Sequence, residues 1–368
     1  MPVLKRLQPL LQIAAPRKEL LLIPAALLLA ACATTTSAPP DLPTRPAEPS
    51  VRTVPPAPPT QEEIALQSLA TMQDRLYRVA APLIVNNPEL CKSQARNLLG
   101  FTAKNRYSYS NEYIAAAQRV LGLGDKLRIM GVLAGSGAAN AGVRAGDVLL
   151  SVEDRILPEG ENAERQAASI LAPLVTGRSS VKIAVLRDGG NVTLNVPLTH
   201  ACAYGFELGN TDNVTAYADG YRVLVSRGMM NFAKTDDELA YVLAKEMAHI
   251  TLGHPARQRM SATAGGIIDN LTRIRPDMST MSGLAGIKPM PQELDAIADR
   301  LSLYMLVRAG YKIDDTIPFW RRLAAQFPPT VLNAYTAMHP GTNFRVAAMG
   351  RTLKDIKAKQ AANKPLMP

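Results

Sequence analysis

Histidine and cysteine are scarce in this chain, and their scarcity narrows its chemistry before any motif is sought. The 368 residues hold four histidines, three cysteines and one tryptophan. A cysteine-rich zinc framework is excluded, because such sites draw several thiolates from closely spaced pairs. Long apolar runs are also missing: the run from Leu20 to Ala31 is too short to span a bilayer. The net charge of +10 is not gathered into a basic block or interleaved with aromatics, so it does not mark a nucleic-acid partner. What remains is an ordinary apolar fraction of 47%, enough to bury the cores of two or three domains.

The two ends of this inventory are separate in kind. Lys5, Arg6, Arg17 and Lys18 precede the Leu20–Ala31 run, so residues 1–31 read as a signal peptide. Its end, Leu29-Ala30-Ala31-Cys32, resembles the bacterial lipobox, which implies lipid modification of Cys32 and a lipid-anchored, exported protein. An ordinary cleaved signal with a chance cysteine is the alternative. Removing the net +3 of the signal leaves +7 dispersed among acids. Residues 32–60 are mostly Pro, Ala and Thr, a solvated linker of about 90 Å if extended at ~3.1 Å per residue. Ala33 after the lipidated cysteine, in place of aspartate, points to the outer membrane. The expected location is the bacterial cell envelope, facing the periplasm.

Cys91 and Cys202 are then an even pair in an oxidising compartment. They are expected to form a disulfide if the fold brings their Cα atoms within ~7 Å, and to be two buried thiols otherwise.

Apolar positions at helical spacing from Ile64 to Leu83 predict an amphipathic helix within an N-terminal segment, residues 61–112. From 113 to 200 the texture becomes short β-like runs, with Arg187-Asp188-Gly189-Gly190-Asn191 as a hairpin signal. Ser136-Gly137-Ala138-Ala139-Asn140-Ala141-Gly142-Val143-Arg144-Ala145-Gly146-Asp147-Val148-Leu149 resembles the corresponding stretch of bacterial PDZ domains. That resemblance implies capture of a peptide by addition of a strand, with a glycine loop taking a carboxylate. Leu121-Gly122-Leu123-Gly124 is the candidate loop, and a simple turn is the other reading.

The last segment, 201–365, turns on LAKEMAHITLGH, residues 243–254. Thr235 and Glu238 form a capping box and Gly253 and Pro255 a stop, which predicts a helix over about 236–252. Leu239, Val242, Leu243, Met247 and Ile250 make one apolar stripe, and Glu246 falls near its middle. A carboxylate aimed at a core costs several kcal/mol unless a cation, metal or donors meet it. Lys245 and His249 lie one turn apart on the adjoining flank, the placement two metal ligands need. His254 follows His249 by five residues, the wrong spacing for a third ligand on an extended motif, and reads as a last-turn histidine favoured by the helix dipole.

Further downstream come Leu294-Asp295-Ala296-Ile297-Ala298-Asp299, Leu303 to Tyr311, Phe319-Trp320-Arg321-Arg322-Leu323, and Met338-His339-Pro340-Gly341-Thr342 with Arg345. With Ala216 to Gly220 and Arg227 to Met230, they resemble zinc metallopeptidases of the CAAX-prenyl-protease and HtpX type, especially exported members with an inserted PDZ domain. The implied fold is α+β: a mainly helical, zincin-type domain with a small antiparallel sheet, plus the inserted PDZ-like β domain. The resemblance implies zinc as cofactor, Glu246 as general base, His249 as ligand, Asp299 as the carboxylate that steadies the ligand helix, and polypeptides as partners.

Three positions depart from that family pattern. Lys245 stands where the first histidine ligand belongs, Asp295 where the glutamate ligand belongs, and Thr215 where asparagine is usual. Deprotonating a lysine from its ordinary pKa of about 10.4 costs roughly 4–5 kcal/mol before any metal bond forms. Aspartate is an acceptable zinc ligand, one methylene shorter than glutamate. Three functions follow. In one, the Lys245 charge replaces the zinc charge and pairs with Asp295 and Glu246, leaving the fold without its chemistry. In another, His249, Asp295 and His339 hold zinc and Glu246 activates water. In the third, the protein binds unfolded or C-terminally exposed envelope polypeptides without cutting them.

Overall fold

Thr60 opens the first helix in the computed structural model. Its hydroxyl accepts from the amide of Glu63 at 3.3 Å, and the Glu63 carboxylate accepts from the Thr60 amide at 2.7 Å. This box starts α1, Gln61–Val85, whose buried face carries Leu66, Leu76, Val79, Ala80 and Leu83. The structure describes residues 57–257, 261–275, 277, 288–331 and 334–368. The expected signal peptide, the lipidated Cys32 and the linker up to residue 56 lie outside the described residues. After α1, the short α2, Pro88–Cys91, brings Cys91 to Cys202, and their sulfurs are bonded with the Cα atoms 5.6 Å apart.

Beyond this bond lies a β-rich module. Strand β1, Ala95–Leu98, pairs with a later strand, and β2, Phe101–Lys104, pairs antiparallel with β3, Arg128–Val132. Helix α3, Ile114–Leu121, fills the insertion between β2 and β3. After α4, Gly137–Asn140, come β4, Val148–Val152, and its partner β5, Arg155–Ile156. Helix α5, Ala163–Val175, then leads to β6, Ser180–Arg187, and β7, Gly190–Pro197. The sheet runs in the order β2-β3-β4-β6-β7, with its own apolar core around Ile129, Val152, Ile183 and Val185. It takes in β2, ahead of residue 113, because the α3 insertion breaks the strand texture between β2 and β3. Asp147 shows why Arg144-Ala145-Gly146-Asp147 is written as it is. Nearly buried, it accepts from the Arg144 amide at 2.9 Å and from two nitrogens of Arg187 at 2.6 and 2.7 Å.

The chain leaves the module along β8, Thr199–Cys202, which pairs antiparallel with β1. A second, three-stranded sheet follows. It comprises β9, Gly205–Gly209, β10, Ala216–Ala218, and β11, Arg222–Ser226, in the order β10-β11-β9. This sheet is mixed rather than antiparallel throughout. β10 and β11 form a hairpin, and the long connection from β9 to β10 lets β9 lie parallel to β11.

Helix α6, Arg227–Phe232, precedes α7, Asp236–Thr251. Thr235 caps α7 by accepting from the Glu238 amide at 3.2 Å, but the Glu238 carboxylate takes the Lys234 amide and Arg322 rather than the Thr235 amide. The reciprocal half of the expected box is lost because the guanidinium is the stronger partner. α7 is buried from Leu239 to Ile250 on every face, not along one stripe. The small Ala240, Ala244 and Ala248 let neighbours approach the side that the periodicity assigned to solvent. The remaining helices are α8, His254–Arg257, α9, Ser261–Leu271, α10, Gln292–Arg308, α11, Thr316–Gln326, α12, Tyr335–Met338, and α13, Asn343–Ala361. α10 lies along α7 and packs on α13, so the flank carrying Lys245 and His249 faces protein rather than water. No helix among the described residues is long and apolar enough to cross a membrane.

Candidate functional site

A fully buried lysine side chain is the central fact of this region. Lys245 on α7 is 0% exposed, and its Nζ lies 3.1 Å from Asp295 Oδ1 and 3.1 Å from Asp299 Oδ1. The two aspartates are four residues apart on α10, one turn, so both carboxylates face α7. These contacts are at ion-pair distance but not in hydrogen-bond alignment, so the attraction is coulombic rather than directional. Rings of Trp320 and Tyr335 wall the cation at 5.2 and 5.9 Å from their centroids. The expected contact from Lys245 to Glu246 is replaced by the one to Asp299. Neighbours on a helix point about 100° apart, and Glu246 turns instead to Tyr335, whose hydroxyl donates to Oε1 at 2.6 Å.

Asp295 Oδ1 is the hub. It is 2.7 Å from His339 Nδ1, 3.2 Å from His249 Nε2 and 3.1 Å from Lys245 Nζ. Asp299 is held by Arg345 through two bonds of 2.8 and 3.0 Å, and the same guanidinium binds the carbonyls of His339 at 3.2 Å and Pro340 at 2.8 Å. Arg345 thereby fixes the loop that presents His339. His254, expected in the last turn of α7, instead lies beyond it as the first residue of α8, buried, with its Nδ1 2.9 Å from His249 Nδ1. His339 Nε2 is 3.7 Å from Glu246 Oε1.

Titration follows from these placements. Burial pushes the Asp295 carboxyl up, but Lys245, His339 and His249 together hold it well below the usual range. Asp299 is likewise raised by burial and brought below its ordinary value by Lys245 and Arg345. Burial raises Glu246, and His249, Tyr335 and Lys245 only partly offset it. Burial also lowers His249 and His339 despite the nearby Asp295. A histidine whose folded pKa is depressed binds fewer protons than in the unfolded chain, so stability falls as pH drops below about 6.5. The raised Glu246 acts with the opposite sign. Glu246→Gln removes that opposing group, so this variant's thermal midpoint should fall steadily from pH 7 to pH 5. A midpoint independent of pH over that range would contradict the neutral burial of the two imidazoles.

One donor atom each from His249, Asp295 and His339 falls within 4.8 Å of the others, close enough for one metal ion. His249 Nε2, His339 Nε2 and Asp295 Oδ2 have no hydrogen-bond partner among the described residues. The charge and orientation nevertheless do not fit zinc. A metal centre is a cation ringed by lone pairs, whereas here a carboxylate oxygen is ringed by three nitrogens, one of them an ammonium. The 2.7 Å contact makes His339 Nδ1 a donor to Asp295. A dication added beside Lys245 would meet a charge already balanced, since Lys245 and Arg345 match Asp295 and Asp299.

Residues 192–353 match the family profile described as Peptidase family M48. Over 181 residues the chain is 29% identical to a protein of Yersinia pestis named beta-barrel assembly-enhancing protease, covering 44% of this chain and 36% of that one. The putative beta-barrel assembly-enhancing protease of Vibrio cholerae is 30% identical over 140 residues, 33% of this chain and 29% of that one. The mitochondrial metalloendopeptidase OMA1 of Schizosaccharomyces pombe is 24% identical over 147 residues, covering 38% of this chain and 44% of that one. The chain spans about a third of the length of the first two of these relatives. Among solved structures, "HtrA-type protease AlgWS227A with decapeptide" overlaps 29% of each chain at 25% identity with a TM-score of 0.21, too loose to bear on fold or function. These matches make residues 192–353 similar to peptidases of family M48, and the mixed helical and sheet structure there is consistent with an α+β peptidase domain.

Other expected positions lie apart from this cluster. Leu121-Gly122-Leu123-Gly124 closes α3. Gly122 takes the left-handed conformation at φ +64° and donates to the Ala117 carbonyl, while Gly124 accepts from the Arg106 amide. The segment lines none of the three cavities above 500 Å³, of about 990, 540 and 520 Å³. Leu98 to Phe101 lines the cavity of about 990 Å³. Gly100 there has φ +82°, and a Cβ on it would sit 2.6 Å from Ser136 Oγ. Its signal in the sequence was an apolar-apolar-glycine-apolar run between two strand textures. Thr215 enters the strand next to α7, with its Oγ1 buried and without a partner among the described residues. Tyr335, missed by the sequence reading, lies four residues before His339, a one-turn spacing that stacks the two rings at 4.6 Å.

Proposed function

We propose that this protein is an exported, lipid-anchored member of the M48 type that holds polypeptides in the bacterial envelope, with peptide-bond hydrolysis weak or lost. One observation carries the reading: Lys245 Nζ, fully buried, lies 3.1 Å from both Asp295 and Asp299. The positive charge that zinc supplies in an active site of this kind is supplied here by a side chain, which cannot lower the pKa of a bound water as a metal does. Glu246 keeps the position of a general base, yet its carboxylate is engaged by Tyr335 and raised by burial. The PDZ-like reading of the β module supports capture of extended or C-terminally exposed segments, and the relatives named as proteases of β-barrel assembly support an envelope setting.

The three buried donors within 4.8 Å favour a second reading, a metallopeptidase with an unusual ligand set. Elemental analysis of protein purified without added metal, together with cleavage of unfolded casein by wild type and Glu246→Gln, decides between them. Substoichiometric zinc and equal, background-level cleavage are expected. One zinc per chain, or wild-type cleavage abolished by Glu246→Gln, would establish the enzyme.

A further inference from the structure

Helix α13 turns one side to the protein and the other to solvent, and the two sides differ in charge. At 100° per residue, Arg345, Met349, Thr352 and Ile356 fall together on the buried side. The opposite side carries Phe344, Ala347, Arg351, Lys354, Ala358 and Ala361, all exposed, a stripe of about 25 Å at ~1.5 Å per residue. No acid stands on it. Phe344, 46% exposed, begins the stripe beside the bonded pair Arg345 and Asp299, and Ile297, 50% exposed, lies two residues before Asp299 on α10.

The helix holds five basic side chains against one acid, Asp355, and three of the five are answered within the protein. Arg345 is bound to Asp299, Lys357 pairs with Asp314, and Lys359 pairs with Asp355 at 3.1 Å. Tyr304, Lys359 and Arg300 of α10 together hold the Asp355 carboxyl below its ordinary value, so that acid is ionised and already surrounded. Arg351 and Lys354 have no carboxylate partner among the described residues. Neither has Arg321 of α11, which lines a small cavity with Asn343 and Val346 at the start of α13. A stripe of unanswered cations, with an aromatic ring at one end and small residues between the charges, complements anionic headgroups: the cations meet phosphates while the ring reaches the acyl boundary.

We propose that the outer side of α13 docks the folded part on a bilayer rich in anionic phospholipid, with Arg321, Arg351 and Lys354 on headgroup phosphates and Phe344 inserted. The linker, about 90 Å if extended, lets any face of a domain of this length reach a membrane, so the charge of α13 selects which face does. The protein then lies against the surface instead of standing off from it. Because Arg345 points away from the stripe, docking leaves its hold on Asp299 and on the His339 carbonyl intact. The argument from the linker rests on the lipid-anchored part of the proposed function. The argument from charge does not need the acyl chain.

The test is co-sedimentation of the mature chain, carrying Cys32→Ser so that no lipid can be attached, with vesicles of phosphatidylcholine alone or with about one third phosphatidylglycerol. Binding to the anionic vesicles is expected to be at least tenfold tighter than to the neutral ones, and to be lost at high salt. This comparison uses one protein and avoids any question of misfolding. Arg351→Glu with Lys354→Glu should weaken anionic binding at least tenfold. Arg155→Glu with Lys182→Glu, the same change in net charge on exposed positions of the β module, should leave it within about twofold. Phe344→Trp should add emission that shifts to the blue on anionic vesicles. Equal binding to both vesicles, equal loss with both pairs of reversals, no binding, or no blue shift overturns the docking face. Intact mass of the wild-type chain decides separately whether Cys32 is acylated, so failure of the anchor and failure of the docking face are read apart.

Discussion

Lys245→Met should lower the unfolding free energy by about 3–5 kcal/mol, the range for removing one partner of a buried ionic cluster. The thermal midpoint should fall by on the order of ten degrees. Methionine nearly conserves the volume, so the loss is electrostatic: Asp295 and Asp299 would remain buried with Arg345 as their one permanent cation. Adding Asp295→Asn leaves Arg345 matched to Asp299 alone, and the double variant should recover most of the loss. Chemical denaturation of the four proteins of this cycle measures the coupling. A single variant within 1 kcal/mol of wild type would mean that Lys245 is not charged in the folded protein, and the charge-replacement reading would fail with it.

The second large effect is a gain. Lys245→His combined with Asp295→Glu restores both departures from the family's ligand set at once. The double variant should retain about one zinc per chain after dialysis and cleave unfolded casein where wild type does not. Adding Glu246→Gln should then reduce cleavage by ~10²–10⁴, the usual contribution of a general base. Neither change alone should suffice. With Lys245→His alone, the ligand carboxylate is a methylene short; with Asp295→Glu alone, the ammonium remains. Zinc binding by wild type equal to that of the double variant would refute the account.

The helices were legible because their signals are local. The Thr235 cap, the Gly253 stop and the period of Leu239 to Ile250 placed α7 to within a residue. Glu246 could be flagged from its place on the apolar stripe alone. Partners were harder to read, because ion pairing depends on how α10 lies against α7, and no spacing in a single sequence encodes that. Hence Asp299, read as steadying a ligand helix, turned out to share the ammonium, and Arg345 emerged as the second cation of the cluster. Strand β2 was hidden for a different reason. The residues between β2 and β3 include a helix and two single turns, so periodicity severed the strand from its sheet.

The bond between Cys91 and Cys202 joins residues 111 apart in sequence, on either side of the β module, where β1 and β8 run side by side. A protease that nicks the module once, at the exposed Asp188-Gly189 turn for instance, would therefore release nothing. The two pieces would stay one covalent molecule, migrating as the intact chain until a reductant is added.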